Sequence, residues 1–155
     1  MQDDQRIAAS NAVAWLKQDV LKASANLDLK MAISKKDRYG NMHDRYRQYY
    51  KGIPVEYGSY IVHSRSGNVR SANGEWYNIP EISVNPALSP SDAYQAACNY
   101  INAKSWLHER EDADNNELLI LPVDGSFKLA YKCDVYAKEP FTRQWIYVDA
   151  ITGSI

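Results

Sequence analysis

HDRYRQYYKGIPVEYGSYIVHSRSGNVRSANG, residues 43–74, reads as a β-hairpin followed by a second, tighter one. Tyr46, Gln48 and Tyr50 alternate with Arg45, Arg47 and Tyr49, the period of two that a strand half-buried on one face produces. Lys51-Gly52-Ile53-Pro54 breaks the run. Gly52 tolerates positive φ and Pro54 has no backbone N–H, so the chain turns or lies at a sheet edge there. Alternation resumes over Ser59 to Ser64, and Ser66-Gly67-Asn68 turns it into a last strand over Val69 to Ala72.

Upstream, Ala9, Val13, Leu16, Val20 and Ala23 recur at steps of three and four, which predicts an amphipathic helix from Asp3 to about Ala25. Asp3 and Asp4 at its start, and Lys17 and Lys22 toward its end, agree in sign with the helix dipole. Asn26 is the expected stop. Leu29, Met31 and Ile33 then alternate with Asp28, Lys30 and Ala32 as a short strand, and Ser34 to Asn41 is expected as a charged loop leading into the hairpin.

Downstream, Glu75 to Pro90 holds Pro80, Pro86 and Pro90 without a clear period, the composition of a linker, which places a boundary near Asn85. Ser89-Pro90-Ser91-Asp92 starts a helix: a Ser N-cap, Pro at the first helical position and an acid three residues after the cap. The helix is predicted to run to about Leu107, with Ala93, Ala97, Tyr100 and Lys104 on one face and Cys98 and Ile101 at its margin. His108 to Asn116 reads as a charged connection. Strands follow over Glu117–Leu121, Lys128–Tyr136 and Gln144–Asp149; Asp124-Gly125 turns the first into the second, and Glu139-Pro140 separates the second from the third. Leu129, Tyr131, Cys133 and Val135 would share the inner face of this meander, with Lys132, Asp134 and Tyr136 on the other.

At 155 residues, either half alone would bury only a thin core, so two lobes packed together are expected. The predicted fold is α+β: lobes 1–85 and 86–155, each a helix packed on an antiparallel β-sheet. Lys and Arg number 18 against 19 Asp and Glu, a net charge of −1, so no basic excess points to nucleic acid or an anionic membrane. Twelve Tyr and four Trp beside two Phe suit an interface; the plain alternative is that these rings cover thin sheets. No stretch is long enough to span a bilayer, and the apolar run Ala12–Leu16 is shorter than a signal-peptide core. The chain reads as soluble, as a secreted protein without its signal would.

Arg45, Gln48, Gly52, Pro54 and Val55, a strand ending in His63, the turn Gly67-Asn68 and Ser71-Ala72-Asn73-Gly74 together resemble the fungalysin/thermolysin propeptide domain. That domain opens the pro-region of secreted thermolysin-like zinc metalloproteases. The second half resembles the PepSY domain that follows it in such pro-regions. The matching residues are Leu88-Ser89-Pro90-Ser91-Asp92-Ala93, Asp124-Gly125 with Leu129-Ala130-Tyr131, and Tyr147-Val148-Asp149-Ala150 with Thr152-Gly153.

Residues for catalysis are sparse. A zinc helix of the protease class needs His at i and i+4 with a Glu between them. The nearest imitation, His108-Glu109-Arg110-Glu111-Asp112, has Asp in the fifth position and reads as a solvated connection. His43 and His63 fall on neighbouring strands, but whether they share a face depends on a loop register the sequence leaves open. A surface pair with no third ligand is the expectation. Cys98 on a helix and Cys133 on the sheet beneath are expected as two semi-buried thiols rather than a disulfide, since layers packed about 10 Å apart hold Cα atoms beyond its reach. Neither a nucleophile elbow nor a Gly-rich phosphate loop is present. The chain is expected not to be an enzyme and to carry no metal or cofactor.

What the resemblance implies is a secreted or periplasmic pro-region that covers the active-site cleft of its cognate thermolysin-like metalloprotease and assists that domain's folding. The expected contact surface is the broken strand Tyr49, Tyr50, Lys51, Gly52, Ile53 and Pro54, where exposed rings, a turn and a sheet edge would coincide, together with the C-terminal strand from Asp149 to Ile155. The structural alternative is that Gly52 and Pro54 only form the turn while Tyr49 and Tyr50 pack against the N-terminal helix. Ile155 follows directly on the last strand, where precursors of this family run on to a catalytic domain, and is read as a boundary within a longer precursor. A free-standing extracytoplasmic binding module and a weakly self-associating structural domain are the other readings.

Overall fold

Strand periodicity dominates what the chain builds. The computed structural model describes residues 6–107 and 116–155, and the chain divides into two compact units, Met1–Pro80 and Glu81–Ile155. Most of the described residues lie in strands, with short helices beside them, so the α+β class holds in that coarser form.

In the first unit, β1 (Leu27–Lys36), β2 (Asn41–Tyr50), β3 (Ile53–Arg65) and β4 (Asn68–Glu75) form an antiparallel meander. Residues 34–36, expected in a loop, extend β1 because pairing with β2 satisfies their backbone groups: Ser34 opposes Asp44 and Lys35 opposes His43. Ser66 and Gly67 take φ of 52° and 76°, the left-handed pair that a two-residue hairpin turn needs. Upstream, a 3₁₀ turn (Ala9–Asn11), α1 (Ala12–Trp15) and a π turn (Leu16–Val20) replace the predicted continuous helix. Of that prediction, Asp3 and Asp4 lie outside the described residues. In the π turn the Leu21 N–H donates to Leu16 C=O at 2.8 Å, five residues back, so the phase slips by one. Leu21 therefore joins the core in place of Val20, which is 43% exposed. Ala12 and Leu16 close this core on Leu29, Tyr46 and Val62, with Trp15, Tyr60 and Trp76 around them.

In the second unit, α2 (Pro90–Ile101) lies against a sheet of β5 (Ser105–Trp106), β6 (Asn116–Val123), β7 (Ser126–Glu139) and β8 (Phe141–Asp149). α2 ends earlier than predicted. Asn102 adopts the left-handed conformation (φ 50°, ψ 43°) and the chain turns to pair Trp106 with Ala137. The buried face is Ala93, Tyr94, Ala97 and Cys98, whereas Tyr100 is exposed and Lys104 lies beyond the helix. Leu129, Tyr131, Cys133 and Val135 are buried as the alternation predicted, opposite Val148 and Ile146 of β8.

At the start of α2 the Ser89 Oγ accepts the Asp92 N–H at 3.1 Å. Replacing Ser89 by Ala leaves that N–H without its cap, and a loss of about 1 kcal/mol is expected in urea unfolding, while Ser89→Asp retains most of it.

Candidate functional site

The turn between β2 and β3 is a two-residue connection in which Lys51 and Gly52 both take positive φ, 46° and 81°. The Lys51 N–H also donates to Asn26 C=O at 2.8 Å, which ties the turn to the start of β1. Lys51 and Gly52 are exposed, while Ile53, Pro54 and Tyr49 are half-buried. Lys30 Nζ sits 4.3 Å from the Tyr49 ring centroid. Tyr50 corrects the expectation of two exposed rings: it lies on the buried phase with Tyr46 and Gln48 and is 1% exposed.

Beside this turn, β3 bulges. Arg47 opposes Ser59 and Tyr49 opposes Pro54, so Gln48 alone faces Val55, Glu56, Tyr57 and Gly58. Gln48 is fully buried and acts as a piece of backbone. Its Nε2 donates to Tyr77 C=O at 2.6 Å, and its Oε1 accepts the Tyr77 N–H at 3.0 Å. Gly58 leaves room for that side chain, since a Cβ there would stand 2.7 Å from Gln48 Oε1. Glu56 is buried beneath Arg47 at 3.6 Å, and Tyr57, with φ 64°, carries its ring out to 60% exposure at the crest. Sequence reading missed Tyr57. The available signal was Gln48, a polar residue in the buried phase of an alternating strand.

His43 and His63 are direct partners across β2 and β3, which settles the register the sequence left open. Their Nδ1 atoms lie 2.6 Å apart, His43 Nε2 is 3.2 Å from Asp37 Oδ2, and His63 Nε2 is 3.0 Å from Asn73 Oδ1. The Asn41 side-chain amide holds the Asp37 carboxyl well below the usual carboxylate range; burial works against this, and the Asn41 N–H, His43 and the Tyr39 N–H add to it. A folded-state pKa below the unfolded value of 3.8 gives a stabilisation fully present above that pH and lost as pH falls below it. Asp37→Asn is therefore expected to flatten the acid limb of the pH–stability curve, measured as a smaller difference between urea midpoints at pH 6 and pH 3 than in the parent chain.

At the C-terminal end, Asp149 caps a turn. Its Oδ1 accepts the N–H groups of Ile151 and Thr152 at 2.9 and 3.0 Å, with Lys128 Nζ 3.7 Å from the other oxygen. Burial raises its pKa, but the Thr152 and Ile151 donors and Lys128 outweigh it and the net shift is downward. Ile155 is 54% exposed and shares a cavity of about 140 Å³ with Leu121, Val123, Lys128, Tyr147 and Asp149. Asp149 and Ile155 are thus brought together, while Tyr49 to Pro54 belong to the other unit. The outer face of β7 and β8 also carries exposed rings that the sequence did not mark. Trp145 is 57% and Phe141 74% exposed, with Lys132 Nζ 4.7 Å from the Trp145 ring centroid and Arg143 hydrogen-bonded to Asp134.

Cys98 and Cys133 are buried thiols, and burial together with the nearby Cys98 pushes Cys133 up to about 12. Among the described residues no group of three or more His, Cys, Asp or Glu is placed to hold a metal ion. The segment His108 to Asp112 lies outside them. No helix of the described residues is long and apolar enough to cross a membrane.

Residues 28–75 match the family described as Fungalysin/Thermolysin Propeptide Motif. The chain is 30% identical over 145 residues to bacillolysin of Bacillus subtilis (strain 168), covering 88% of this chain and 28% of that protein. It is equally identical over 129 residues to the thermostable neutral protease NprT of Geobacillus stearothermophilus (77% and 23%) and over 141 residues to neutral protease B of Bacillus subtilis (87% and 26%). The chain therefore spans about a quarter of the length of the curated relatives it matches.

Proposed function

We propose, from the premise that residues 28–75 are a fungalysin/thermolysin propeptide motif, that this chain is the pro-region of a secreted thermolysin-like zinc metalloprotease. The observation that carries the reading is the extent of the similarity: it runs through both units of this chain yet takes up only 28% of bacillolysin. The chain inhibits the mature enzyme by occupying its substrate cleft and performs no chemistry itself. It assists folding by binding near-native states of the catalytic domain more tightly than unfolded ones, which shifts that equilibrium toward the native side. Residues 1–85 form the propeptide-motif lobe and residues 86–155 a PepSY-like lobe. The capped helix at Ser89 and the β6–β8 meander support the second assignment.

The contact surface includes the rigid turn Tyr49 to Pro54 and the end Asp149 to Ile155. In the first, Lys51 and Gly52 are exposed on a turn of fixed conformation, so little ordering entropy is lost on binding. The test is a titration of the purified chain against the mature cognate protease, following peptide hydrolysis at fixed zinc and calcium. Hydrolysis is expected to fall to near zero at one equivalent and to stay there in excess zinc. Full activity at micromolar chain, with the chain shown to be folded, would overturn the reading in favour of an independent binding module.

A further inference from the structure

We propose that Tyr57 is an anchor for the partner: its ring, held outward on a strained bulge, enters an apolar pocket on the mature cognate protease. This rests on the reading of the chain as that protease's pro-region.

Tyr57 is costly where it stands. Its φ of 64° lies in the left-handed region, where Cβ crowds the following carbonyl oxygen. Among the described residues five other non-glycine residues have positive φ, and each has a local reason. Lys51, Ser66 and Asp124 open tight turns and are each followed by glycine, Asn102 caps α2, and Lys22 follows the π turn. Tyr57 alone stands inside a strand. The glycine beside it brings no relief. Gly58 does not take the left-handed conformation itself and is committed to the buried Gln48, where a Cβ would stand 2.7 Å from Oε1 and 2.8 Å from the Gln48 Cβ.

The fold gains little in return. Val55, Glu56 and Gly58 are buried, so the bulge folds its other three residues inward and turns the tyrosine out to 60% exposure. Glycine at this position would build the same bulge without the strain. Exposure by itself marks nothing: Tyr39, Tyr100, Phe141 and Trp145 are comparably open without a left-handed φ. Strain kept for a ring that buries little marks a residue that serves a site rather than the fold.

The bulge is also firm, with Gly58 packed on Gln48 and Glu56 3.6 Å from Arg47 of β2. A tyrosine on such a backbone has only its two side-chain torsions to order on binding, and tyrosine is among the residues that dominate interface energies. Position selects the occupant. The pairs Arg47–Ser59 and Tyr49–Pro54 bracket the bulge, and the second closes the turn that meets the protease. Tyr57 also lies within residues 28–75, the stretch that matches the propeptide motif. The ring rather than charge carries the contact, since Glu56, the one carboxylate of the bulge, is buried beneath Arg47.

The test titrates the whole chain and three variants against the mature cognate protease. Tyr57→Ala and Tyr57→Gly should each weaken inhibition about thirtyfold, the level that defines a hot spot, while Tyr57→Phe should stay within about threefold of the parent chain. In urea, Tyr57→Gly should unfold at a midpoint about 0.5 M above Tyr57→Ala, since only alanine keeps the strain. A merely structural tyrosine would lose inhibition in step with stability, whereas here the more stable of the two variants inhibits as poorly as the other. No inhibition by the folded parent chain would overturn the pro-region reading and this inference with it. Inhibition by the parent chain that Tyr57→Ala and Tyr57→Gly both retain would overturn this inference alone. So would a Tyr57→Phe chain as weak as Tyr57→Ala, which excludes an apolar pocket, or equal urea midpoints for Tyr57→Gly and Tyr57→Ala, which exclude the strain.

Discussion

Gly74→Ala is expected to be the most damaging single-methyl substitution in the first unit. Gly74 lies in β4 directly opposite Tyr60, and a Cβ on it would stand 2.2 Å from Ser59 O, 2.6 Å from Tyr60 Cα and 2.8 Å from the Tyr60 ring. Two of these three atoms are backbone, so no rotamer change relieves the contact; β3 and β4 must separate. Overpacking of this kind costs about 3 kcal/mol, the upper part of its usual range. With a denaturant slope of about 2 kcal/mol per molar urea, the midpoint should fall by about 1.5 M. The control is Gly67→Ala, where a Cβ meets nothing within 4 Å and only the positive φ of 76° opposes it, so a smaller loss is expected. Equal midpoints for Gly74→Ala and the parent chain would show that β4 does not lie against β3 as described.

Gln48→Leu is expected to follow closely, at about 3 kcal/mol. Leucine matches the glutamine in size but withdraws the acceptor of the Tyr77 N–H and the donor to its carbonyl from a fully buried position. The loss should come with earlier proteolytic cleavage near Tyr77, because these two bonds hold the segment after β4 to the sheet. Gln48→Glu separates the two bonds. A carboxylate still accepts the N–H but faces the carbonyl oxygen, so burial raises its pKa, and the variant should gain stability as pH falls through that raised value. A Gln48→Glu chain whose midpoint does not rise on acidification would show that the side chain is not sealed against Tyr77.

Much of this was legible. The quoted run placed the β2–β3 and β3–β4 hairpins, two of the three in the first unit's meander. Lys51-Gly52 and Ser66-Gly67 turn the chain where the glycines said it would, because only certain residues accept left-handed φ and that preference is local. The cap Ser89-Pro90-Ser91-Asp92 started α2 on the residue expected, since its hydrogen bond spans three residues. In β7 the alternation assigned the inner face correctly, a strand's facing being a property of its own backbone, while Asp134 on the other face is buried as well, hydrogen-bonded to Arg143.

Other features depend on groups far apart in the chain. The N-terminal apolar stripe was read at a uniform helical period, but the sheet it covers is served by Leu21 through a π turn, and the choice between Leu21 and Val20 lies with the partner surface. Tyr49 has the Lys30 ammonium over its ring, a neighbour that only the pairing of β1 with β2 supplies. The Asn102 stop was decided by the pairing of Trp106 with Ala137. Gln48, Gly58 and Gly74 all stood in the quoted run, the first and last among the residues that carry the family resemblance, yet their reasons lie in Tyr77, the bulge and Ser59, brought within bonding or colliding distance by the fold.

By itself, then, the sequence determined the α+β content, the turns at Lys51-Gly52 and Ser66-Gly67, the helix start and the similarity of residues 28–75 to a protease propeptide motif, all of which rest on local backbone preference or on residue identity. Only the tertiary structure decided that His43 meets His63, that Gln48 acts as backbone for Tyr77 and that Tyr57 stands exposed on a bulge. The first and last are fixed by the register of β2 on β3, which is set by the summed pairing of two strands rather than by any residue in one of them, and the second by the return of the segment after β4 onto β2.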